Sequence, residues 1–93
     1  MIRSFADDRT RLVAEGRQPK GLPPDILKAA RRKLGFLDAA TSLDALRVPP
    51  GNKLHPLTRD RSGQHAIRIN DQYRICFRWT EAGPEDVEIV DYH

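Results

Sequence analysis

The sequence predicts an α+β fold in which an amino-terminal strand and two helices pack on one face of a small, largely antiparallel sheet. Helix signals fill the first half of the chain, strand signals fill the second half, and those strands follow one another at hairpin spacing. A chain of 93 residues with 39% hydrophobic residues can build one compact core. We therefore expect a single domain over residues 1–93.

The first elements are defined by short-range signals. Residues 1–5 can form a short strand, and Asp7 or Asp8 can cap a helix that extends to about Glu15. Gly16 suits the end of that helix, because glycine adopts the left-handed conformation without a steric cost. The sequence therefore predicts a strand followed by a first, short helix.

A second, longer helix is expected to start at Pro24-Asp25, because proline suits the first helical turn and an acidic residue there complements the helix dipole. Its apolar residues recur at spacings of three and four, which predicts one buried stripe. The stripe consists of Ile26, Leu27, Ala30, Leu34 and Leu37.

Three strands are predicted in the second half of the chain, over residues 65–69, 73–79 and 87–90. In the middle strand, alternation places four aromatic or aliphatic residues on one face and the residues Arg74, Cys76 and Arg78 on the other. The apolar surroundings of Cys76, the one cysteine of the chain, indicate a buried structural thiol and not a nucleophile.

Positive charge is concentrated in the amino-terminal third, where residues 1–33 hold nine Lys and Arg against four Asp and Glu, a net charge of +5. The densest basic patch is expected on the outer face of the second helix, with one further lysine before it: Lys20, Lys28, Arg31 and Arg32. Such a patch suits a polyanion such as RNA or an acidic protein partner. A plain solvated helix face is the alternative.

Several classes of function are excluded by missing patterns. The chain has no HxH, HExxH or CxxC spacing for a metal and no glycine-rich loop after a strand for a nucleotide, so we expect neither a metal nor a cofactor. It has no apolar run long enough for a signal peptide or a membrane span, so we expect a cytoplasmic protein that does not bind membranes.

Two imidazoles stand out as candidates for acid and base chemistry near neutral pH. His93 ends the chain after a strong strand, next to Asp91 and Tyr92, and His55 follows a loop close to cationic side chains. Cleavage of RNA by its own 2′-hydroxyl needs a base, an acid and a cation beside the phosphate. Exposed surface histidines are the alternative for both, and His65 is interpreted only as a strand residue.

The order of five segments gives a more specific indication: residues 1–5 (MIRSF), 33–41 (KLGFLDAAT), 54–57 (LHPL), 70–75 (NDQYRI) and 91–93 (DYH). Together they resemble the HigB toxins of the RelE superfamily over essentially the whole chain. The resemblance implies a RelE-like fold and a bacterial type II toxin that enters the ribosomal A site and cleaves translated mRNA without a metal. It also implies neutralisation by a HigA-type helix-turn-helix antitoxin, through which the toxin reaches operator DNA only indirectly.

Carried over by position, the catalytic set of the family falls on His55, Asp91, Tyr92 and His93. His93 would be the leading acid or base, His55 its complement or a charge stabiliser, Tyr92 a stacking or hydrogen-bonding support and Asp91 the orienting residue. Which histidine is base and which is acid stays open. One departure is Thr58, where such toxins often carry lysine; Arg59 could replace the missing charge.

Cationic residues around this set are expected to bind RNA: Lys53, Arg59, Arg61, Arg68, Arg74 and Arg78. The basic patch Lys20, Lys28, Arg31 and Arg32 would contact ribosomal RNA. Two alternatives remain. One is a ParE-like toxin that inhibits DNA gyrase and lacks this acid/base set, and the other is a catalytically weak partner that only binds an antitoxin and modulates repression.

Overall fold

Two α-helices pack against one face of a four-stranded antiparallel sheet in the computed structural model, which describes residues 1–91. Tyr92 and His93 lie outside the described residues. The strands are arranged in chain order, and neither described helix is long and apolar enough to cross a membrane. The elements are α1 (Asp8–Ala14), α2 (Leu27–Ala39), β1 (His55–Pro56), β2 (His65–Arg68), β3 (Tyr73–Thr80) and β4 (Gly83–Asp91). The predicted α+β class is confirmed.

Helix α1 begins and ends where the sequence predicts. The Asp7 carboxylate accepts a hydrogen bond from the Thr10 backbone N–H at 2.8 Å, which satisfies one of the free donors of the first turn. After Ala14 the backbone leaves the helix, and Gly16 adopts a φ of 83°. Because this left-handed conformation suits glycine, Gly16 sets the end of the helix.

Helix α2 begins one turn later than predicted, because the turn that Pro24 opens is a 3-10 helix, Pro24–Ile26. Its predicted apolar stripe is buried: Ile26, Leu27, Ala30, Leu34 and Leu37. Lys33 is also buried on this face, with 5% of its surface exposed, although it is not part of the predicted stripe.

The core lies between the helices and one face of the sheet. Fully buried strand residues on this face include Ile67, Ile75, Phe77 and Ile89, and they pack with Leu37 of α2. Burial of an aliphatic or aromatic side chain of this size contributes about 1.5–3 kcal/mol. The other face of the sheet is therefore left for polar side chains.

The amino-terminal segment departs from the predicted strand. It runs parallel to β4, but it forms one isolated bridge, between Phe5 and Val87. The register of β3 and β4 shifts at this point, and Asp86 adopts a left-handed φ of 53°, as the extra residue of a β-bulge does. The bulge and Pro84, which has no N–H, interrupt the ladder that a regular strand would need.

Helix α1 holds the outer edge of β4 by two side-chain hydrogen bonds. The Ile89 N–H donates to the fully buried Thr10 hydroxyl at 2.9 Å, and Arg9 donates to the Ile89 carbonyl at 3.0 Å. Buried backbone groups of an edge strand need such partners. The two bonds fix β4 two residues before Asp91.

Replacing the Thr10 hydroxyl tests this contact. Thr10→Val keeps the shape of the side chain but leaves the buried Ile89 N–H without an acceptor, so we expect a loss of about 1–3 kcal/mol in the free energy of unfolding. Urea denaturation measures the change. The control Thr41→Val alters an exposed position and should stay within about 0.5 kcal/mol of the wild type. Equal stability of Thr10→Val and the control would show that the bond does not hold β4.

His65 is half-buried at the edge of the core, stacked on Phe77 with ring centroids 6.4 Å apart. Its Nδ1 is buried and finds no hydrogen-bond partner among residues 1–91. Burial lowers the pKa of His65, and the positive charges of His55 and Arg47 lower it further. The imidazole is therefore neutral in the folded protein at neutral pH.

A lowered pKa predicts a loss of stability in acid. The unfolded chain takes up a proton near pH 6.5, the ordinary pKa of His65, whereas the folded chain resists protonation to lower pH. The stabilising contribution is thus complete above pH 6.5 and is lost as the pH falls through the folded pKa. In urea titrations at pH 7 and pH 5, we expect the free energy of unfolding to fall less for His65→Gln than for the wild type. An equal fall in both proteins would contradict the assignment.

Candidate active site

His55 lies on the exposed edge of the sheet, in the two-residue strand β1. It is paired with Ala66 of β2, and Pro56 is paired with His65. The sequence predicts His55 after a loop and no strand there, because two residues cannot show an alternating pattern. Pairing with β2 fixes the backbone of an otherwise exposed histidine.

The orientation of the His55 ring is set by a backbone carbonyl. His55 Nδ1 lies 2.8 Å from the carbonyl oxygen of Lys53. Since a carbonyl only accepts, Nδ1 carries the proton in this contact, and Nε2 of the neutral ring keeps its lone pair for a base. Lys53 itself has a left-handed backbone, with φ 49° and ψ 48°.

Beside His55 lies an open pocket of about 440 Å³. The fold brings four of the predicted site residues to its wall: His55, Arg59, Arg61 and Arg74. The remaining lining residues are Pro56, Leu57, Thr58 and Asp60. Imidazole and guanidinium groups are the kinds of donor that phosphate oxygens accept, and three guanidinium groups and one imidazole line this cleft.

Glu88 of β4 holds Arg61 in place. Arg61 donates to the Glu88 carboxylate at 3.1 Å and to the Gln64 side chain at 3.2 Å, and its side chain is 31% exposed. Partial burial by itself lowers the pKa of Arg61, but the hydrogen bond and charge of Glu88 outweigh this effect and raise it. Glu88 carries no local signal in the sequence, since its partner is 27 residues away in the chain.

Arg74 reaches the pocket from β3, two residues before Cys76 on the face of the sheet opposite the helices. Cys76 is fully buried, as the sequence predicts. Burial raises the pKa of the Cys76 thiol, while the positive charges of Arg61 and Arg74 oppose this rise. The thiol is buried close to Arg61 and Arg74 but does not line the pocket, and it has no nucleophilic character at neutral pH.

The other predicted RNA-binding residues lie outside the lining of the pocket. Arg68 forms an ion pair with Asp71 in the turn between β2 and β3. Arg78 is exposed, and its nearest polar contact is the Gly63 carbonyl at 3.5 Å. Lys53 is exposed directly before the His55 strand. Their contact with RNA stays a prediction.

The basic patch is exposed on the helical layer, on the side of the domain opposite the pocket. It comprises Lys20, Lys28, Arg31 and Arg32. Arg31 donates to the Arg17 carbonyl at 3.0 Å, which holds one guanidinium against the end of α1. The domain therefore presents cationic groups on two sides.

The carboxy-terminal candidates are only partly described. Asp91 is exposed at the end of β4, where its carboxylate accepts a hydrogen bond from the Gln72 side chain at 2.9 Å. Tyr92 and His93 lie outside the described residues, so their assignment stays a prediction from the sequence. Within residues 1–91, no three His, Cys, Asp or Glu side chains come together as a metal site would require.

Alkylation tests whether the Cys76 thiol is buried. Because burial raises the pKa of Cys76, we expect iodoacetamide to leave the folded protein unmodified at pH 7.5 and to alkylate it in urea. Mass spectrometry after timed exposure measures the reaction. Modification of the folded chain at the rate of an exposed cysteine would show that Cys76 is not buried.

Comparison with known proteins agrees with the fold and identifies related toxins. Toxin HigB-1 of Vibrio cholerae serotype O1 is 43% identical over 60 residues, which are 64% of this chain and 63% of that toxin, so the match spans less than two thirds of the relative. Endoribonuclease HigB of Proteus vulgaris is 30% identical over 93 residues, the full length of both chains.

A solved structure, the YoeB-YefM complex from Staphylococcus aureus, contains a chain with the same fold at a TM-score of 0.63. The match has 14% identity and covers 100% of this chain and 98% of that chain. A model of the RelE-like toxin of the type II toxin-antitoxin system HigB matches residues 3–93. Since this match omits only the first two residues, the chain belongs to the HigB-like family of RelE-like toxins of type II toxin-antitoxin systems.

Proposed function

We propose that this protein is a ribosome-dependent endoribonuclease that cleaves translated mRNA in the ribosomal A site and thereby stops translation. The observation that carries the proposal is the pocket, in which His55 with a defined tautomer faces Arg59, Arg61 and Arg74. The name of the Proteus vulgaris relative, an endoribonuclease aligned over its full length, supports the same class of reaction.

In the proposed reaction, a base removes the proton of the RNA 2′-hydroxyl, and the 2′-oxygen attacks the adjacent phosphorus. The bond from phosphorus to the 5′-oxygen breaks, a 2′,3′-cyclic phosphate forms, and an acid protonates the leaving oxygen. Arg61 and Arg74 stabilise the charge on the equatorial phosphate oxygens. His55 and His93 are the acid and the base, in an order that the cleavage pH profile would assign.

The carboxy-terminal residues complete the proposed catalytic set. Asp91 orients His93, and Tyr92 stacks on a base or donates a hydrogen bond. Thr58 stands where related toxins often carry lysine, and it lines the pocket beside Arg59. We propose that the Arg59 guanidinium supplies the charge that the lysine would bring.

The exposure of the site supports the proposed dependence on the ribosome. His55 is exposed and the pocket is open, so the domain offers few contacts that would orient a flexible RNA by itself. The basic patch on the helical layer is proposed to bind ribosomal RNA, with an affinity that falls as salt rises. Free RNA should accordingly be a poor substrate.

We further propose that no metal takes part, since imidazole and guanidinium groups supply every proton transfer and charge that the reaction needs. The natural inhibitor would be a HigA-type helix-turn-helix antitoxin in the cytoplasm. Contact with operator DNA would then occur only through this antitoxin.

Primer extension on mRNA from cells that briefly express the protein tests the proposal. We expect codon-phased cuts with the wild type, and a loss of roughly 10²–10⁴-fold in cleavage for His55→Ala and for His93→Ala, because each removes a proton-transfer group. Circular dichroism of the purified variants confirms that they fold. Toxicity without any cuts would refute RNA cleavage and favour gyrase inhibition, whereas an absence of both would favour an antitoxin-binding partner.

Arg74→Ala tests the phosphate contact separately. We expect a loss of on the order of 10²-fold or more, because a charged donor to the transition state disappears. The matched control is Arg3→Ala, which also removes one arginine charge, but from an exposed side chain beside the start of β4, at the other edge of the sheet. Equal cleavage by the two variants would show that Arg74 does not contact the phosphate.

A further inference from the structure

A buried polar contact lies behind the loop that leads to His55. Lys33 of α2 donates a hydrogen bond to the side-chain oxygen of Asn52, and the two residues are 5% and 0% exposed. The Lys33 ammonium also lies 5.6 Å from the centroid of the Phe36 ring. Neither Lys33 nor Asn52 lines the pocket, and neither has a role in the reaction described above.

Asn52 in turn holds the loop over residues 46–53. Its side-chain amide donates to the carbonyl of Leu46 at 3.1 Å and to the carbonyl of Val48 at 3.3 Å. Its backbone N–H donates to the Pro49 carbonyl at 2.9 Å. One fully buried side chain thus joins α2 to two points of the loop.

Lys53, the residue after Asn52, orients the imidazole of His55. Lys53 has a left-handed backbone, which is strained for a residue with a side chain and persists only where the surroundings enforce it. Its carbonyl oxygen accepts a hydrogen bond from His55 Nδ1, at a distance of 2.8 Å. The position of that carbonyl therefore depends on the anchored Asn52.

We propose that Lys33 and Asn52 are positioning residues, which fix the Lys53 carbonyl and thereby hold His55 as the Nδ1–H tautomer with Nε2 directed to the RNA. The catalytic consequence rests on the proposed function, whereas the tautomer is a property of the folded protein alone. A free imidazole side chain favours the opposite tautomer, so the fold must impose this one.

The presence of a lysine at the buried position 33 supports a role in positioning the loop. Burial lowers the pKa of Lys33, and the charges of Arg32 and Arg68 lower it further. An apolar side chain at position 33 would fill the same space without the cost of burying an amine. The hydrogen bond of Lys33 therefore serves the geometry of the loop more than the stability of the core.

The test is a measurement of the His55 ring nitrogens by ¹⁵N-detected NMR at a pH where the ring is neutral. We expect the wild type to show the Nδ1–H pattern and Lys33→Met to show mainly the Nε2–H pattern. The control Leu37→Ala leaves a cavity beside the same helix but removes no hydrogen bond to the loop, and it should keep the wild-type pattern despite a lower melting temperature. Retention of Nδ1–H in Lys33→Met would overturn the proposal.

A second variant covers the case in which Lys33→Met does not fold. Asn52→Asp keeps the size of the side chain and an acceptor for Lys33 but removes both amide donors to the loop, so the same change of tautomer is expected. In the primer-extension assay, either variant should lose on the order of 10²-fold in cleavage, with a shifted pH profile that Leu37→Ala does not share. If the tautomer changes as expected but no protein, the wild type included, cleaves mRNA, the proposed function is refuted. The positioning role of Lys33 and Asn52 would then still stand.

Discussion

The packing of α2 against one face of the sheet is the contact on which the rest of the molecule depends. Leu34 and Leu37 of α2 pack in one cluster with Ile75 of β3 and Ile89 of β4, and all four side chains are almost completely excluded from water. Because the helices occupy one face, the strands can present charged side chains only on the other. Arg74, which lines the pocket, lies on this second face.

The helical layer also reaches both edges of the sheet through hydrogen bonds. At one edge, Lys33 holds Asn52 and the loop that leads to His55. At the other edge, Thr10 holds the backbone of Ile89, two residues before Asp91. Each contact joins a helix to a strand or loop that carries a member of the predicted catalytic set. The helices therefore act both as the core and as the frame of the site.

Two of the arginines in and around the site are each paired with a carboxylate. Glu88 neutralises Arg61 and fixes its direction, and Asp71 does the same for Arg68 at the far end of β2. The histidine at the edge obtains its orientation from a neutral carbonyl instead of a carboxylate. The site therefore has one anchored guanidinium, that of Arg61, and is open toward solvent. That combination agrees with a toxin whose substrate is positioned by a larger assembly, as the proposed function requires.

Local signals in the sequence determined the fold class, both helices, the buried stripe of α2, the three long strands and the burial of Cys76, because capping and periodicity depend on near neighbours. The order of short motifs also indicated the toxin family that the family match then confirmed. Only the tertiary structure decided that β1 exists, that a bulge at Asp86 reduces the amino-terminal strand to one bridge, and that Glu88, Lys33 and Asn52 support the site. The position of Lys33 on the apolar stripe was a signal that could have been noticed. Its partner could not have been identified, since the two residues are 19 positions apart and spacing along a chain does not record which distant side chains the fold brings into contact.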